Sequence, residues 1–111
     1  MISLGPATRV FVALSPVDLR KSFDGLSALV TQVLDQPPTS GHLYVFTNRN
    51  RNRLKVLCWD GTGYWCCAKR LERGRFLWPL GEGTHCTLRP EEWGNLVQGL
   101  EVVRRSGWYR Q

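Results

Sequence analysis

The stretch that decides the fold runs from Arg53 to Arg70 and has the sequence RLKVLCWDGTGYWCCAKR. It consists of two runs rich in β-branched and aromatic residues, separated by Asp60–Gly63 (DGTG), a strong signal for a hairpin turn. In the register that places Trp59 opposite Tyr64, Arg53 lies opposite Arg70. The stretch therefore predicts a β-hairpin whose open end carries two adjacent arginines.

A third strand-like run, His42–Thr47, precedes this hairpin, and the polar segment Asn48–Asn52 joins the two as a five-residue loop. A loop of that length places Thr47 opposite Arg53. Three strands connected in this way form an antiparallel meander. Because side chains alternate between the two faces of a strand, one face is predicted to be the core face. The residues expected on it are Tyr44, Phe46, Leu54, Val56, Cys58, Trp65 and Cys67.

The segment before the meander predicts one strand and one long helix. Arg9–Leu14 is rich in β-forming residues, which favours a strand. Ser15–Asp18 has the features of a helix start, with Ser15 as N-cap and a proline at the first helical position. We expect a helix over Ser15–Leu34 that packs on the core face of the sheet. The side chains expected in that contact are Phe23, Leu26 and Val30.

The C-terminal third predicts two short strands, Arg75–Trp78 and Thr84–Leu88, and a second helix that begins at Pro90. The apolar stripe of that helix is Trp93, Leu96, Val97 and Leu100. The chain is thus predicted to be a single α+β domain. It contains an antiparallel β-meander sheet with one long helix packed on a face and a short C-terminal helix. The domain spans residues 1–100, and residues 101–111 form a flexible C-terminal tail.

The composition is typical of a small folded protein. Of its 111 residues, 42% are hydrophobic and 22% are charged, which are ordinary proportions. No apolar run approaches the roughly 20 residues that span a bilayer, and the N-terminus lacks a secretion signal. We therefore expect a cytoplasmic protein without membrane contacts. The four cysteines lack metal-ligand spacing, so we expect free thiols and no metal or other cofactor.

The excess positive charge is confined to one segment, Arg49–Arg75. This segment has eight basic and two acidic residues, an excess of +6 that equals the net charge of the whole chain. Such a segment gives one face or edge a potential that suits polyanions. In the predicted register its loops project from the open end of the hairpin, so the eight groups converge. The candidate nucleic-acid-binding residues are Arg49, Arg51, Arg53, Lys55, Lys69, Arg70, Arg73 and Arg75.

Four blocks of the chain carry a resemblance to a known family. They are DLRKSFDGL at 18–26, SGHLYVF at 40–46, LKVLCWDG at 54–61 and AKRLERGRFLWP at 68–79. In this order they resemble the TnpB-type accessory protein of insertion-sequence-66 elements, which is distinct from the RNA-guided nuclease that shares the TnpB name. The resemblance implies a bacterial mobile-element protein that supports transposition beside a separate, larger transposase.

An enzyme requires a positioned nucleophile, acid–base pair or metal. His42 and His85 lie in no recognisable constellation of this kind. Asp18 and Asp60 suit a helix cap and a hairpin turn, the ordinary uses of aspartate. We therefore expect a non-catalytic protein.

DNA is the first expected partner, because 12 of the 15 basic residues are arginines, which bind phosphate bidentately. The charge lies outside any predicted recognition helix, so we expect contacts mainly to the DNA backbone. The alternative is a protein adaptor that contacts the transposase of the same element, with the arginines against an acidic surface. DNA binding that depends on salt, in the absence of transposase, would separate the two hypotheses.

Overall fold

The computed structural model describes residues 5–99. Within them the chain forms a five-stranded sheet and two helices, so the predicted α+β class is confirmed. The strands are β1 (Val10–Ala13), β2 (Leu43–Thr47), β3 (Arg53–Trp59), β4 (Tyr64–Arg70) and β5 (His85–Leu88). The helices are α1 (Phe23–Gln32) and α2 (Pro90–Val97). The predicted tail at 101–111 and Leu100 of the second helix lie outside the described residues.

The sheet has the strand order β4-β3-β2-β1-β5 and is mixed rather than wholly antiparallel. The meander of β2, β3 and β4 is confirmed. The expectation of an antiparallel sheet throughout is wrong at β1, which pairs in parallel with β2 and antiparallel with β5. The parallel pair arises because α1 connects β1 to β2 as a crossover. All four residues of β1 are buried, as is typical of a strand covered on both faces.

One face of the sheet, the α1 face, is covered by the first helix. The helix contributes Leu26 and Val30, and Leu34 follows just after its end; all three are fully buried. The sheet residues in this cluster are Phe11, Ala13, Tyr44, Phe46 and Leu57. Tyr44 is fixed through its hydroxyl, which lies 2.7 Å from Ser40 Oγ and donates to the Pro37 carbonyl.

The other face, the α2 face, is covered by α2 and by the segment before β5. Phe76, Trp78 and Leu96 pack there against the strands. The Trp78 indole N–H donates to the buried Ala13 carbonyl at 2.8 Å, which fixes the segment to β1. The sheet residues in this cluster are Val10, Val12, Leu43, Val45, Leu54, Val56, Cys58 and Leu88. The sheet therefore has a core on both faces.

The predicted β3–β4 register is confirmed at every pair, including Arg53 with Arg70. The β2–β3 register is wrong by one residue, because Thr47 pairs with Leu54. The Asn48 N–H donates to the Arg53 carbonyl at 3.4 Å, which shortens the loop from five residues to four. A slip of one residue exchanges the faces of a strand. Tyr44 and Phe46 therefore lie on the α1 face of the sheet, whereas Leu54 and Val56 lie on the α2 face.

The prediction of one long helix from Ser15 is also wrong, because α1 begins at Phe23. The Val17 N–H donates to the Thr47 carbonyl at 2.9 Å, which attaches the supposed first turn to the end of β2. The Asp18 carboxylate accepts from Arg20 rather than from a helix N-terminus. Leu26 and Val30 are buried as expected, but Phe23 is 45% exposed, since it starts the helix and lies outside the contact with the sheet.

The second helix begins at Pro90 as predicted. Arg89 precedes it, and the Arg89 backbone N–H donates to Glu92 Oε1 at 2.8 Å. The predicted strand over Arg75–Trp78 is absent, since the described chain has no regular structure there. Instead, Phe76 and Trp78 insert into the α2 face while the intervening Leu77 remains 49% exposed.

Candidate nucleic-acid interface

The loop between β2 and β3 is held by the side chain of Asn48. Its amide oxygen accepts from the backbone N–H groups of Asn52 and Arg53, at 3.1 and 3.2 Å. Its amide nitrogen donates to Asn52 Oδ1 at 2.7 Å. Arg51 has a positive φ of 56°, which turns the chain back toward β3. This internal hydrogen bonding leaves Arg49 exposed at the tip of the loop.

The segment after β4 is attached to the same loop at two points. The Leu71 N–H donates to the Asn52 carbonyl at 2.8 Å, and the Phe76 N–H donates to the Arg51 carbonyl at 2.6 Å. The residues between these bonds therefore form a turn beside the β2–β3 loop. Gly74 allows this turn, since its φ of 73° lies in the left-handed region that glycine adopts without steric cost.

These two turns form a ridge of four arginines, Arg49, Arg51, Arg73 and Arg75. Arg51 is half-buried and the other three are exposed. Among residues 5–99, none of the four side chains has a hydrogen-bonded or ionic partner. The ridge is therefore a set of guanidinium groups, each with five N–H donors, that are not engaged within the described part of the chain.

A cleft lies beside the ridge, between the β2–β3 loop, the ends of β3 and β4, and the segment before α1. It is open to solvent and has a volume of about 740 Å³. Its lining is rich in cations and amides and contains a single carboxylate. The lining residues are Asp18, Leu19, Arg20, Asn48, Asn50, Asn52, Arg53, Leu54, Lys55, Ala68, Lys69 and Arg70.

The cationic side chains of the cleft differ in their hydrogen-bond partners. Arg70 donates from Nε and Nη2 to the Glu72 carboxylate, at 3.1 and 3.0 Å. Lys55 donates from Nζ to the Lys21 carbonyl at 2.9 Å, in the segment before α1. Arg53 is exposed and has no side-chain partner in the described part of the chain, although it lies directly opposite Arg70. A like-charge pair at directly opposite strand positions is unfavourable by itself.

Arg20 is a cleft residue that the sequence-based site did not include. Its guanidinium binds the Asp18 carboxylate at 2.8 Å, and this contact lowers the pKa of Asp18 to about 2. The Asp18 carboxylate is therefore ionised at neutral pH. Arg20 lies outside the segment of excess charge, so charge counting could not find it. The available signal was its place in the DLRKSFDGL block.

Lys69 is the predicted site residue that is directed elsewhere. The register of β4 puts it opposite Leu54 on the α2 face. Its ammonium group donates to the Val97 carbonyl at 2.6 Å, at the C-terminal end of α2, where a cation is favourable. The structure thus gathers Arg53, Lys55 and Arg70 in the cleft and the other four arginines on the ridge. Lys69 is also part of the cleft lining, but its ammonium group is bound at the end of α2.

Residues that could support other chemistry are used within the fold. His42 Nδ1 accepts from the Arg9 N–H at 3.0 Å, and His85 Nδ1 lies 3.0 Å from Thr84 Oγ1. All four cysteines are free thiols, and burial raises the pKa of Cys58 and Cys66. In the described part of the chain, no three His, Cys, Asp or Glu side chains are grouped so as to hold a metal ion.

Neither helix within residues 5–99 has the length and apolar character needed to cross a bilayer.

The fold and the site define a small α+β protein with a basic ridge and cleft at one end of its sheet. The family described as "IS66 Orf2 like protein" matches residues 8–107. The chain belongs to this family, so the resemblance to the accessory protein of insertion-sequence-66 elements is confirmed.

Two proteins of Sinorhizobium fredii (strain NBRC 101917 / NGR234) are similar to the chain, each with 38% identity. "Uncharacterized protein y4hO" aligns over 91% of this chain and 88% of its own length. "Uncharacterized protein y4jC" aligns over 94% of this chain and 89% of its own length. No solved structure gives a significant match to the chain.

Proposed function

We propose that this protein is a non-catalytic accessory protein of an insertion sequence, which supports transposition by binding DNA through the ridge and the cleft. The IS66 Orf2-like family membership supports the link to transposition. The observation that carries the DNA-binding part is the group of ridge arginines at one end of the sheet, whose side chains have no partner among residues 5–99.

The placement of these arginines suits the DNA backbone. Hydrogen bonds from the Leu71 and Phe76 N–H groups to the Asn52 and Arg51 carbonyls hold the two arginine turns against each other, so the ridge presents its charge on a fixed support. Arginine donates bidentately to phosphate oxygens. The ridge consists of turns, and neither α1 nor α2 carries any of its residues. Contacts from turns to phosphates position a protein on DNA but carry little sequence information.

The test is DNA binding by purified protein, measured by fluorescence anisotropy over a series of salt concentrations. Arg73→Glu removes one exposed ridge charge, and Arg9→Glu is the matched control. Arg9 is also exposed, but it precedes β1 at the opposite end of the sheet. We expect Arg73→Glu to weaken binding and to flatten the logarithmic salt dependence by about one unit for each lost phosphate contact. Equal effects of the two substitutions would show that binding is diffuse.

An adaptor function is the second candidate, favoured by two exposed apolar side chains in the segment that follows Arg75. Leu77 and Leu80 are 49% and 53% exposed, whereas Phe76 and Trp78 beside them are buried. Exposed leucines contribute little to phosphate binding but suit a protein surface. Under this hypothesis the purified protein binds transposase without DNA, and Leu77→Ser with Leu80→Ser abolishes that binding.

A further inference from the structure

We propose that the cleft binds a backbone phosphate of an unpaired DNA strand, while the ridge binds the adjoining duplex. The inference rests on the proposed function, since it assigns separate parts of the DNA to the two halves of the basic surface. The preferred ligand is then a junction between duplex and single-stranded DNA, rather than a uniform duplex.

The size of the cleft excludes a duplex from its interior. Its volume of about 740 Å³ falls within the range of roughly 300–1,000 Å³ that is typical of pockets for small molecules. A B-form duplex is wider than such a cleft, because its major groove alone measures about 12 Å across and the two backbones lie outside that groove. A single strand presents one nucleotide at a time and can enter.

The charges in the cleft suit one phosphate group. Arg53 and Arg70 are direct cross-strand neighbours, and the Cβ atoms of such pairs are about 5 Å apart. Two guanidinium groups at that spacing can bracket a phosphate, which also relieves their mutual repulsion. Arg53 has all its donors available within the described structure, and Arg70 retains Nη1 beside its contact with Glu72.

The remaining charged groups of the cleft support the same ligand. Lys55 is fixed by the Lys21 carbonyl, so its charge is held in place before a ligand binds. The only carboxylate in the lining, that of Asp18, is paired with Arg20. The cleft therefore has an excess of cations. Internal contacts hold Lys55, Arg70 and Arg20 in the free protein, which lowers the entropic cost of binding for these three groups.

Recognition in the cleft is directed to the phosphate rather than to the base. Its lining contains no aromatic side chain, whereas base-reading sites for single strands use aromatic stacking. The amides of Asn48 and Asn52 are engaged with each other. Binding in the cleft should therefore depend on an unpaired strand and little on its sequence.

The ridge and the cleft are continuous, which lets one DNA molecule occupy both. Arg51 of the ridge is separated from Arg53 of the cleft by Asn52 alone, and the Asn52 carbonyl also accepts from the Leu71 N–H next to Arg70. A strand that leaves a duplex bound on the ridge is thus adjacent to the cleft.

The test compares two probes by fluorescence anisotropy: a blunt duplex and the same duplex with a short thymidine overhang. The cleft variant is Arg53→Gln with Arg70→Gln, and the matched ridge variant is Arg49→Gln with Arg73→Gln. We expect the parent to bind the overhang probe about tenfold more tightly, as charge-assisted hydrogen bonds to one phosphate provide. The cleft variant should lose this preference and keep its affinity for the blunt duplex. The ridge variant should bind both probes more weakly and keep the preference.

The outcomes separate the inference from the proposed function. A parent protein that binds both probes equally overturns the cleft inference and leaves DNA binding by the ridge intact. A parent that binds neither probe overturns both. A cleft variant with an equal loss of affinity for both probes also contradicts the inference, because the cleft would then be part of the surface that binds the duplex. If the double variant unfolds, Arg53→Lys decides, since it keeps the charge but loses bidentate geometry and should reduce the preference for the overhang.

Discussion

The two ends of the β3–β4 hairpin differ in whether their charged side chains have partners within the fold. At the turn, the Asp60 carboxylate accepts from the Thr62 and Gly63 N–H groups, the Thr62 hydroxyl and the Trp65 indole, each at 2.9 Å. These bonds lower the pKa of Asp60 to about 2. At the open end, Arg53 lies opposite another arginine, and its guanidinium group has no partner within residues 5–99.

This difference shows which charges the fold itself uses. The Asp60 charge stabilises a turn that the chain needs in order to form the hairpin. The charges of Arg53 and of the ridge stabilise nothing within the described structure, and the Arg53–Arg70 pair opposes folding. Charges retained at a cost to stability are typical of binding sites. The comparison predicts that a substitution at the turn lowers mainly the stability of the fold, whereas a substitution at the open end lowers mainly the affinity for DNA.

The core between the two ends provides the largest expected effect on stability. Leu26 on α1 is fully buried against the sheet, so Leu26→Ala should lower the free energy of unfolding by about 2–5 kcal/mol. Phe23→Ala on the same helix is the control. Because Phe23 is 45% exposed, it should cost less than about 1 kcal/mol. Denaturant unfolding measures both, and similar losses would contradict the packing of α1.

The segment before β5, which Trp78 attaches to β1, gives the next largest expected effect on stability. Trp78→Phe preserves an aromatic ring but removes the donor to the Ala13 carbonyl. A buried acceptor without its partner costs about 1–3 kcal/mol, so the unfolding midpoint should fall. The exposed Leu77→Ala next to it is the control. An unchanged midpoint in Trp78→Phe would show that packing alone holds this segment.

The turn end gives a smaller effect that depends on pH. The folded pKa of Asp60, about 2, lies below the ordinary value of 3.8. Its contribution to stability is therefore complete above the unfolded pKa and is lost as the pH falls through 3.8 toward 2. Asp60→Asn should lower the melting temperature at pH 7. It should also reduce the decrease in melting temperature that the parent shows between pH 4 and pH 2. Parallel pH profiles for the parent and the variant would contradict this account.

The open end gives the smallest effect on stability. Arg53→Gln removes one member of the like-charge pair, so the free energy of unfolding should stay within about 0.5 kcal/mol of the parent or rise slightly. Affinity for the overhang probe should nevertheless fall. Thermal unfolding and anisotropy on the same preparations measure the two quantities. A large loss of stability would show that Arg53 has a structural role.

Local signals made the centre of the fold predictable from the sequence. The DGTG turn determines the β3–β4 register, so every pair from Arg53–Arg70 to Trp59–Tyr64 is confirmed. The composition of this turn matches its geometry, since Asp60 supplies the acceptor and Gly61 has a positive φ of 102°. The register at this turn was enough to place the like-charge pair at the open end.

Side-chain hydrogen bonds within a loop and contacts between distant segments made other parts of the fold unpredictable from the sequence. The β2–β3 register depends on whether Asn48 belongs to the loop or to the ladder, and its side-chain bonds to Asn52 and Arg53 decide this. The start of α1 depends on the bond from the Val17 N–H to the Thr47 carbonyl. Capping residues alone could not indicate that bond. The parallel pairing of β1 had a signal in its unbroken apolar sequence, which is typical of a strand covered on both faces.

The sequence located the basic segment but not its division into a ridge and a cleft. That division depends on the pairing of Leu71 and Phe76 with the β2–β3 loop, which joins segments about twenty residues apart in the chain. It also depends on the segment that contains Arg20. Lys69 could not be recognised as a helix cap until the position of α2 was known.

The order of strands has a consequence for the time course of folding. The interior strand β1 is made first, yet its second neighbour, β5, is made after all the other strands. During synthesis the meander can form while β1 still presents an uncharged edge, the sequence VFVA, that lacks its final partner. Unpaired apolar edges promote association between chains, and pairing between distant segments is slow. Chains that terminate before β5 should therefore aggregate, and the concentration of nascent chains should limit the yield of folded protein.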